Sequence, residues 1–124
     1  MFVIRTRVGP SLIHGTGVFA CEQVAAGSVV WRFQPPFDQV LPEEEVRALP
    51  ESCRDFLETY AYRSVDLGGQ LVLSGDHARF LNHSEDPNTE AQQFASMARR
   101  LITPGDEITC DYRAFCTCWT GFDD

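Results

Sequence analysis

No lysine occurs among the 124 residues; all ten basic side chains are arginine. Any reaction at a lysine ε-amino group must therefore take place on another molecule. Long apolar runs are missing as well. The opening residues, Met1-Phe2-Val3-Ile4-Arg5-Thr6-Arg7, lack the apolar stretch of a signal peptide. No later run approaches the roughly 20 apolar residues of a membrane span. The chain therefore reads as soluble and intracellular, with the cytoplasm as its expected compartment and no membrane partner. A paired cysteine framework is absent too. Cys21, Cys53, Cys110, Cys116 and Cys118 are five in number and scattered, which favours reduced thiols over disulfides. No internal repeat, low-complexity tract or linker is evident.

The length suffices for one hydrophobic core and is too short for two ordinary domains, so residues 1–124 read as a single domain. An apolar content of 44% is that of a globular chain. Ten basic residues against eighteen acidic ones give a net charge of −8. That balance aids solubility, disfavours nucleic-acid phosphates as partners and suits cationic ones.

Short β-type runs fill the amino-terminal third: Phe2 to Arg7, Val18 to Cys21 and Val29 to Phe33, separated by Gly15, Gly17 and Gly27. Two helices are expected next. Pro42 followed by Glu43-Glu44-Glu45, and Pro50 followed by Glu51, place proline where a missing N–H costs nothing and acids at the positive end of the helix dipole. In the second helix Cys53, Phe56, Leu57, Tyr60 and Ala61 fall at three- and four-residue spacing and predict one core-facing stripe. Leu67 to Asp76 reads as a turn entering a strand that stops at Gly75, and Phe94 to Ile102 as a further strand before a turn at Thr103-Pro104-Gly105-Asp106.

Three motifs carry chemistry. The first, Gly15-Thr16-Gly17-Val18-Phe19-Ala20, removes Cβ where a backbone turns tightly or approaches a ligand, and it lacks the longer dinucleotide fingerprint that opens a helix. The second, Arg79-Phe80-Leu81-Asn82-His83-Ser84-Glu85-Asp86-Pro87-Asn88, crowds amide, imidazole and hydroxyl groups together. The third, Gly105-Asp106-Glu107-Ile108-Thr109-Cys110-Asp111-Tyr112, brings a strand to a phenol. In this order the three resemble the SET-domain family of S-adenosylmethionine-dependent protein lysine methyltransferases.

The resemblance implies a mainly β fold with a few short helices, the β-clip of small sheets with a carboxy-terminal pseudoknot in which the 79–88 segment threads through a loop of the carboxy-terminal segment. It implies S-adenosylmethionine as methyl donor, held by Gly15, Thr16 and Gly17 and by Asn82 and His83, largely through backbone groups, with Arg79 in support. Tyr112 matches the tyrosine beside the reacting nitrogen and is the expected catalytic residue; Asp111 reads as structural. Cys110, Phe115, Tyr60 and Trp119 are the expected channel for a lysine of a basic protein or peptide, and a homodimer completing the groove is compatible with the family. The middle segment, about 35–65, is the variable part and shows little resemblance to the family, and 113–124 reads as a short carboxy-terminal tail.

Two departures matter. Cys110 stands where many members carry Phe or Tyr, which leaves room for higher methylation states unless another residue such as Phe115 or Tyr60 fills it. Cys116 and Cys118 match two ligands of the family's zinc tail, but Glu85 and Asp123 occupy the other positions, and a closed structural zinc site normally uses Cys and His. The pair reads as a remnant or coincidence, and no bound metal is expected. Two readings of function stand side by side: a lysine methyltransferase, and a non-catalytic SET-like module that binds a peptide or partner. A small metal-binding protein built on Cys116 and Cys118 fails on ligand count.

Overall fold

The computed structural model describes residues 1–116, and of Phe115 the backbone alone. Along the chain run β1 (Thr6–Pro10), β2 (Thr16–Ala20), β3 (Val29–Arg32), β4 (Gln39–Leu41), α1 (Glu43–Arg47), α2 (Glu51–Tyr60), β5 (Tyr62–Arg63), β6 (Leu71–Leu73), a 3₁₀ turn (His77–Phe80), β7 (Asn82–His83), β8 (Thr89–Gln92), β9 (Ala95–Ala98), β10 (Glu107–Cys110) and α3 (Tyr112–Phe115). Small sheets dominate, as the motifs imply. Their strand orders are β1-β2-β10-β7, β3-β9-β8 and β4-β6-β5.

The first sheet is built around β10. Its amino-terminal half lies antiparallel to β2, with Ile108 opposite Val18, and its carboxy-terminal half lies parallel to β7, with Thr109 opposite Asn82 and Cys110 opposite His83. Beyond α3 the chain reaches Cys116, which bridges back to Ser64. The carboxy-terminal segment is thus laid against both β7 and the segment after α2.

Two apolar clusters form the core. Val18, Ala20, Val24, Val30, Ala98, Ile102 and Ile108 are buried between the first two sheets, with Phe2, Ile4, Phe80 and Leu81 packed against them. Val46, Leu57, Ala61 and Leu71 form a smaller cluster with Leu41 and Leu73, so most of the middle segment closes on a core of its own.

Three local expectations shift. The first strand begins at Thr6 rather than Phe2: Phe2 makes a single bridge to Trp31, and its N–H donates to Asp76 at 2.8 Å, so the apolar alternation of residues 2–7 reports packing and not pairing. Both helices form where the prolines place them, with Pro42 and Pro50 just before their first turns. The stripe on α2 is narrower than its spacing suggests, since Leu57 is buried but Cys53 and Phe56 are exposed. Phe56 instead stacks on Tyr60, ring centroids 4.8 Å apart, beneath the Arg79 guanidinium. The strand expected over 94–102 is only Ala95–Ala98. Phe94 sits in the left-handed region at φ 57°, in the turn of a β8–β9 hairpin. The 103–106 turn is as read: Asp106 N–H donates to the Thr103 carbonyl and Gly105 takes φ 92°.

Candidate active site

The 11–17 loop joins β1 to β2 and is clamped from beneath. Ser11 closes it through its N–H to the Gly15 carbonyl at 2.8 Å and donates its hydroxyl to Glu107 Oε1 at 2.8 Å. The buried Asn82 amide lies within hydrogen-bond distance of the carbonyls of His14 (3.0 Å) and Thr16 (3.2 Å), of Ser11 Oγ (3.1 Å) and of Glu107 Oε2 (3.0 Å). A side-chain NH₂ has two protons, so these acceptors share them. The glycines serve different ends. A Cβ on Gly17 would collide with the Glu107 carboxylate, whereas Gly15 takes φ 48° with open space where its Cβ would be. His14, Gly15 and Thr16 are exposed, leaving an open strip of backbone on a braced loop.

The next residue of the motif has a different task. His83 Nδ1 accepts the Tyr112 N–H at 3.1 Å, and its Nε2 lies 3.3 Å from Glu85 Oε1. Accepting at Nδ1 requires a lone pair there, so the proton of the neutral ring sits on Nε2, facing the carboxylate. Asp111 caps the start of α3 by accepting the Arg113 N–H at 2.9 Å; the Arg113 guanidinium beside it holds its carboxyl below the usual carboxylate range. Asn88 locks the far end of the motif to β10, accepting the Thr109 N–H at 2.9 Å and donating to the Glu107 carbonyl at 2.8 Å.

Tyr112 is held at both ends, its N–H by His83 and its hydroxyl by the Leu81 carbonyl. Burial pushes its phenol up to about 12, so it stays protonated through the neutral range. Its ring lines a cavity of about 650 Å³ together with Tyr60, Tyr62, Arg79, Leu81 and Cys110. Burial likewise pushes the Cys110 thiol up to about 12 and the Tyr62 phenol higher still, so these groups stay protonated and uncharged through the neutral range.

The expected site residues thus separate into two groups. Tyr112, Tyr60, Cys110 and Arg79 share the cavity, while Gly15, Thr16, Gly17, Asn82 and His83 lie outside its lining and are joined to it through the β7–β10 pair. Arg79 donates from Nε and Nη2 to the Ser74 carbonyl at 3.1 and 2.9 Å, a bracing role on the cavity side. The Phe115 side chain, Trp119, Cys118 and Asp123 lie outside the described residues. Among the described residues no group of three or more His, Cys, Asp or Glu is placed to hold a metal ion. No helix among them is long and apolar enough to cross a membrane.

Sequence reasoning missed Ser11 and Glu107, which brace the loop, and Tyr62, Phe33, Asp66 and Phe94, which line the cavity. Glu107 stood inside a recognised motif and could have been found by asking what Gly17 makes room for. The others converge only through the fold.

The chain is similar to several known proteins. The "Histone-lysine N-methyltransferase set-2" of Caenorhabditis elegans is 31% identical over 113 residues, 83% of this chain and 7% of that protein. The "Probable histone-lysine N-methyltransferase set-23" of the same organism is 32% identical over 120 residues, 82% of this chain and 47% of that protein. The chain therefore spans less than half the length of these relatives. A chain of "ctPRC2 in an autoinhibited conformation bound to S-adenosylmethionine" superposes with a TM-score of 0.69 at 20% identity, over 94% of this chain and 16% of that one. A chain of "Chaetomium thermophilum Polycomb Repressive Complex 2 bound to GSK126" does so with 0.68 at 20% identity, over 90% and 16%. These structures share the fold. The model of the SET domain matches residues 15–113, from the first glycine of the braced loop to the residue after Tyr112, and the chain belongs to the SET-domain family.

Proposed function

We propose that this chain is a protein-lysine N-methyltransferase that uses S-adenosylmethionine and acts on a basic protein or peptide. The observation that carries the reading is Tyr112, anchored through His83 and Leu81 at the wall of an aromatic cavity. Family membership and the names of the relatives support it.

The residues present suit the donor. Gly15 and Thr16 offer exposed backbone on a loop already braced by Asn82 and Glu107, Gly15 carries no Cβ to block approach, and the buried Gly17 makes room for the bracing Glu107 carboxylate. Because the Asn82 amide and the His83 imidazole are committed to the loop and to Tyr112, these two residues would meet the donor through their backbones. When bound, S-adenosylmethionine supplies a methyl group on a positively charged sulfur, which passes to the amine nitrogen as the carbon–sulfur bond breaks.

Everything else falls to the chain. Lysine, with a pKa near 10.4, must reach the site neutral; desolvation among the aromatic side chains beside Tyr112 would disfavour its charged form, the proton leaving to solvent. Tyr60, Tyr62 and Cys110 shape the passage, and the small Cys110 leaves space for more than one methyl group. Tyr112 donates its hydroxyl proton to the Leu81 carbonyl, which fixes the phenol oxygen at the cavity wall, where it would orient a polarised methyl group by weak C–H···O contact. With a pKa near 12 it positions and does not act as a base. Rate enhancement then comes from alignment and fixed dipoles.

In this reading the chain works as one SET domain, in the cytoplasm or a nucleus. The test is transfer of labelled methyl groups from S-adenosylmethionine to a mixture of basic proteins, alongside calorimetry with the donor. Donor binding with labelled lysine supports the proposal. Binding of peptide without donor binding or transfer selects the non-catalytic module. The chain has no lysine, so its own side chains add no background.

A further inference from the structure

Phe94 is the one non-glycine residue with positive φ among the described residues, and it carries a large ring. Glycine would sit there without strain, so an aromatic side chain at this point is held in place by its surroundings. Two backbone bonds from separate segments hold it: its N–H donates to Asp66 Oδ2 at 3.0 Å, and its carbonyl accepts the Phe33 N–H at 2.9 Å. The two rings pack 6.0 Å apart at 41°. Both rings line the cavity that Tyr112 lines, and Phe94 keeps 36% of its surface exposed, so the pair is not spent on the core.

Charges of both signs line the cavity. Asp66 and Glu58 are exposed carboxylates on its lining. Its two guanidinium groups are turned elsewhere, that of Arg79 onto the Ser74 carbonyl and the Phe56 ring, and that of Arg113 onto Asp111 and Glu85. We propose that Phe33 and Phe94, fixed by Asp66, form the specificity-determining wall of this site and seat an apolar side chain beside the acceptor lysine of a cationic peptide. The proposal rests on the methyltransferase reading for its substrate. Asp66 would serve twice, holding the Phe94 turn and favouring positive charge nearby.

The test uses short lysine peptides that differ only in the flanking residue, Leu or Ser, each in an arginine-containing and a neutral background. Binding is followed by fluorescence anisotropy and methyl transfer by label. Wild type should favour the Leu-flanked peptide by about tenfold in both Kd and kcat/KM, the scale of a buried aliphatic group in an apolar pocket. Phe94→Ala should reduce that ratio below about twofold. Phe94→Gly should do the same while keeping the left-handed turn, which separates loss of the ring from loss of folding. Asp66→Asn keeps an oxygen for the Phe94 N–H, so it should retain the flank preference and lose the preference for arginine-containing peptides; Asp66→Ala should lose both. A wild-type flank preference below twofold, or one that survives in both Phe94 variants, overturns the wall even if methyl transfer is seen. Flank-selective binding without any methyl transfer overturns the enzymatic reading and leaves the wall standing.

Discussion

Tyr112 acquires its meaning from two neighbours, since a phenol anchored at hydroxyl and backbone N–H cannot swing away from the cavity. Tyr112→Phe removes the hydroxyl and keeps the ring, so methyl transfer at saturating donor should fall by at least about a hundredfold, while the donor Kd from calorimetry changes by less than about threefold. Unchanged turnover would remove Tyr112 from the mechanism. The two glycines of the loop make a contrasting pair. Gly17→Ala drives a Cβ into the Glu107 carboxylate and should cost about 1–3 kcal/mol in a denaturant melt, with weaker donor binding. Gly15→Ala meets open space, and its φ of 48° limits the loss to about 1 kcal/mol.

The parallel β7–β10 pair is the element on which the site depends, because it places the loop-bracing Asn82 and the Tyr112-bracing His83 side by side. Asn82→Ala deletes the amide and leaves the His14 and Thr16 carbonyls without their side-chain partner; about 2–3 kcal/mol of stability should be lost in a urea melt, and the donor KM should rise more than kcat falls. Much of this element was legible in the chain. The order of amide, imidazole and strand-ending phenol marked the family, and proline followed by glutamate marked both helices. The β8–β9 hairpin was not legible, because its turn places Phe94 at positive φ with no glycine or asparagine at that position to announce it. The α2 stripe was overread for a related reason: periodicity shows which residues share a face, not how much of that face finds a partner.

For the whole molecule the buried acids set the response to alkali. The Cys110 thiol is raised from 9.0 to about 12 and the Tyr112 phenol from 10.0 to about 12, with Tyr62 shifted in the same direction, all chiefly by burial. Between the unfolded and folded values the native state holds more protons than the unfolded one, so stability falls as pH rises. Chemical melts should give constant stability up to about pH 8, insofar as these groups decide it, and a progressive loss from about pH 9 to 12. Cys110→Ala should remove the earliest part of that loss, and a stability that rises over this window would refute the assignment. The net charge of −8 acts at the same scale, drawing cationic partners at low salt more strongly than at high salt.

Composition and motif order alone decided that this chain is globular, that none of its own 124 residues can serve as a lysine acceptor, and which family it resembles, because those properties depend on which residues are present and in what order. Tertiary structure decided the division of labour: Asn82 to the loop, His83 to Tyr112, Arg79 to Ser74, and Phe33, Asp66 and Phe94 to one wall of the cavity. Apart from the local Arg79–Ser74 pair, those assignments rest on contacts between residues dozens of positions apart, and such contacts exist only once β7 has been laid along β10 and the small sheets have closed on their shared core.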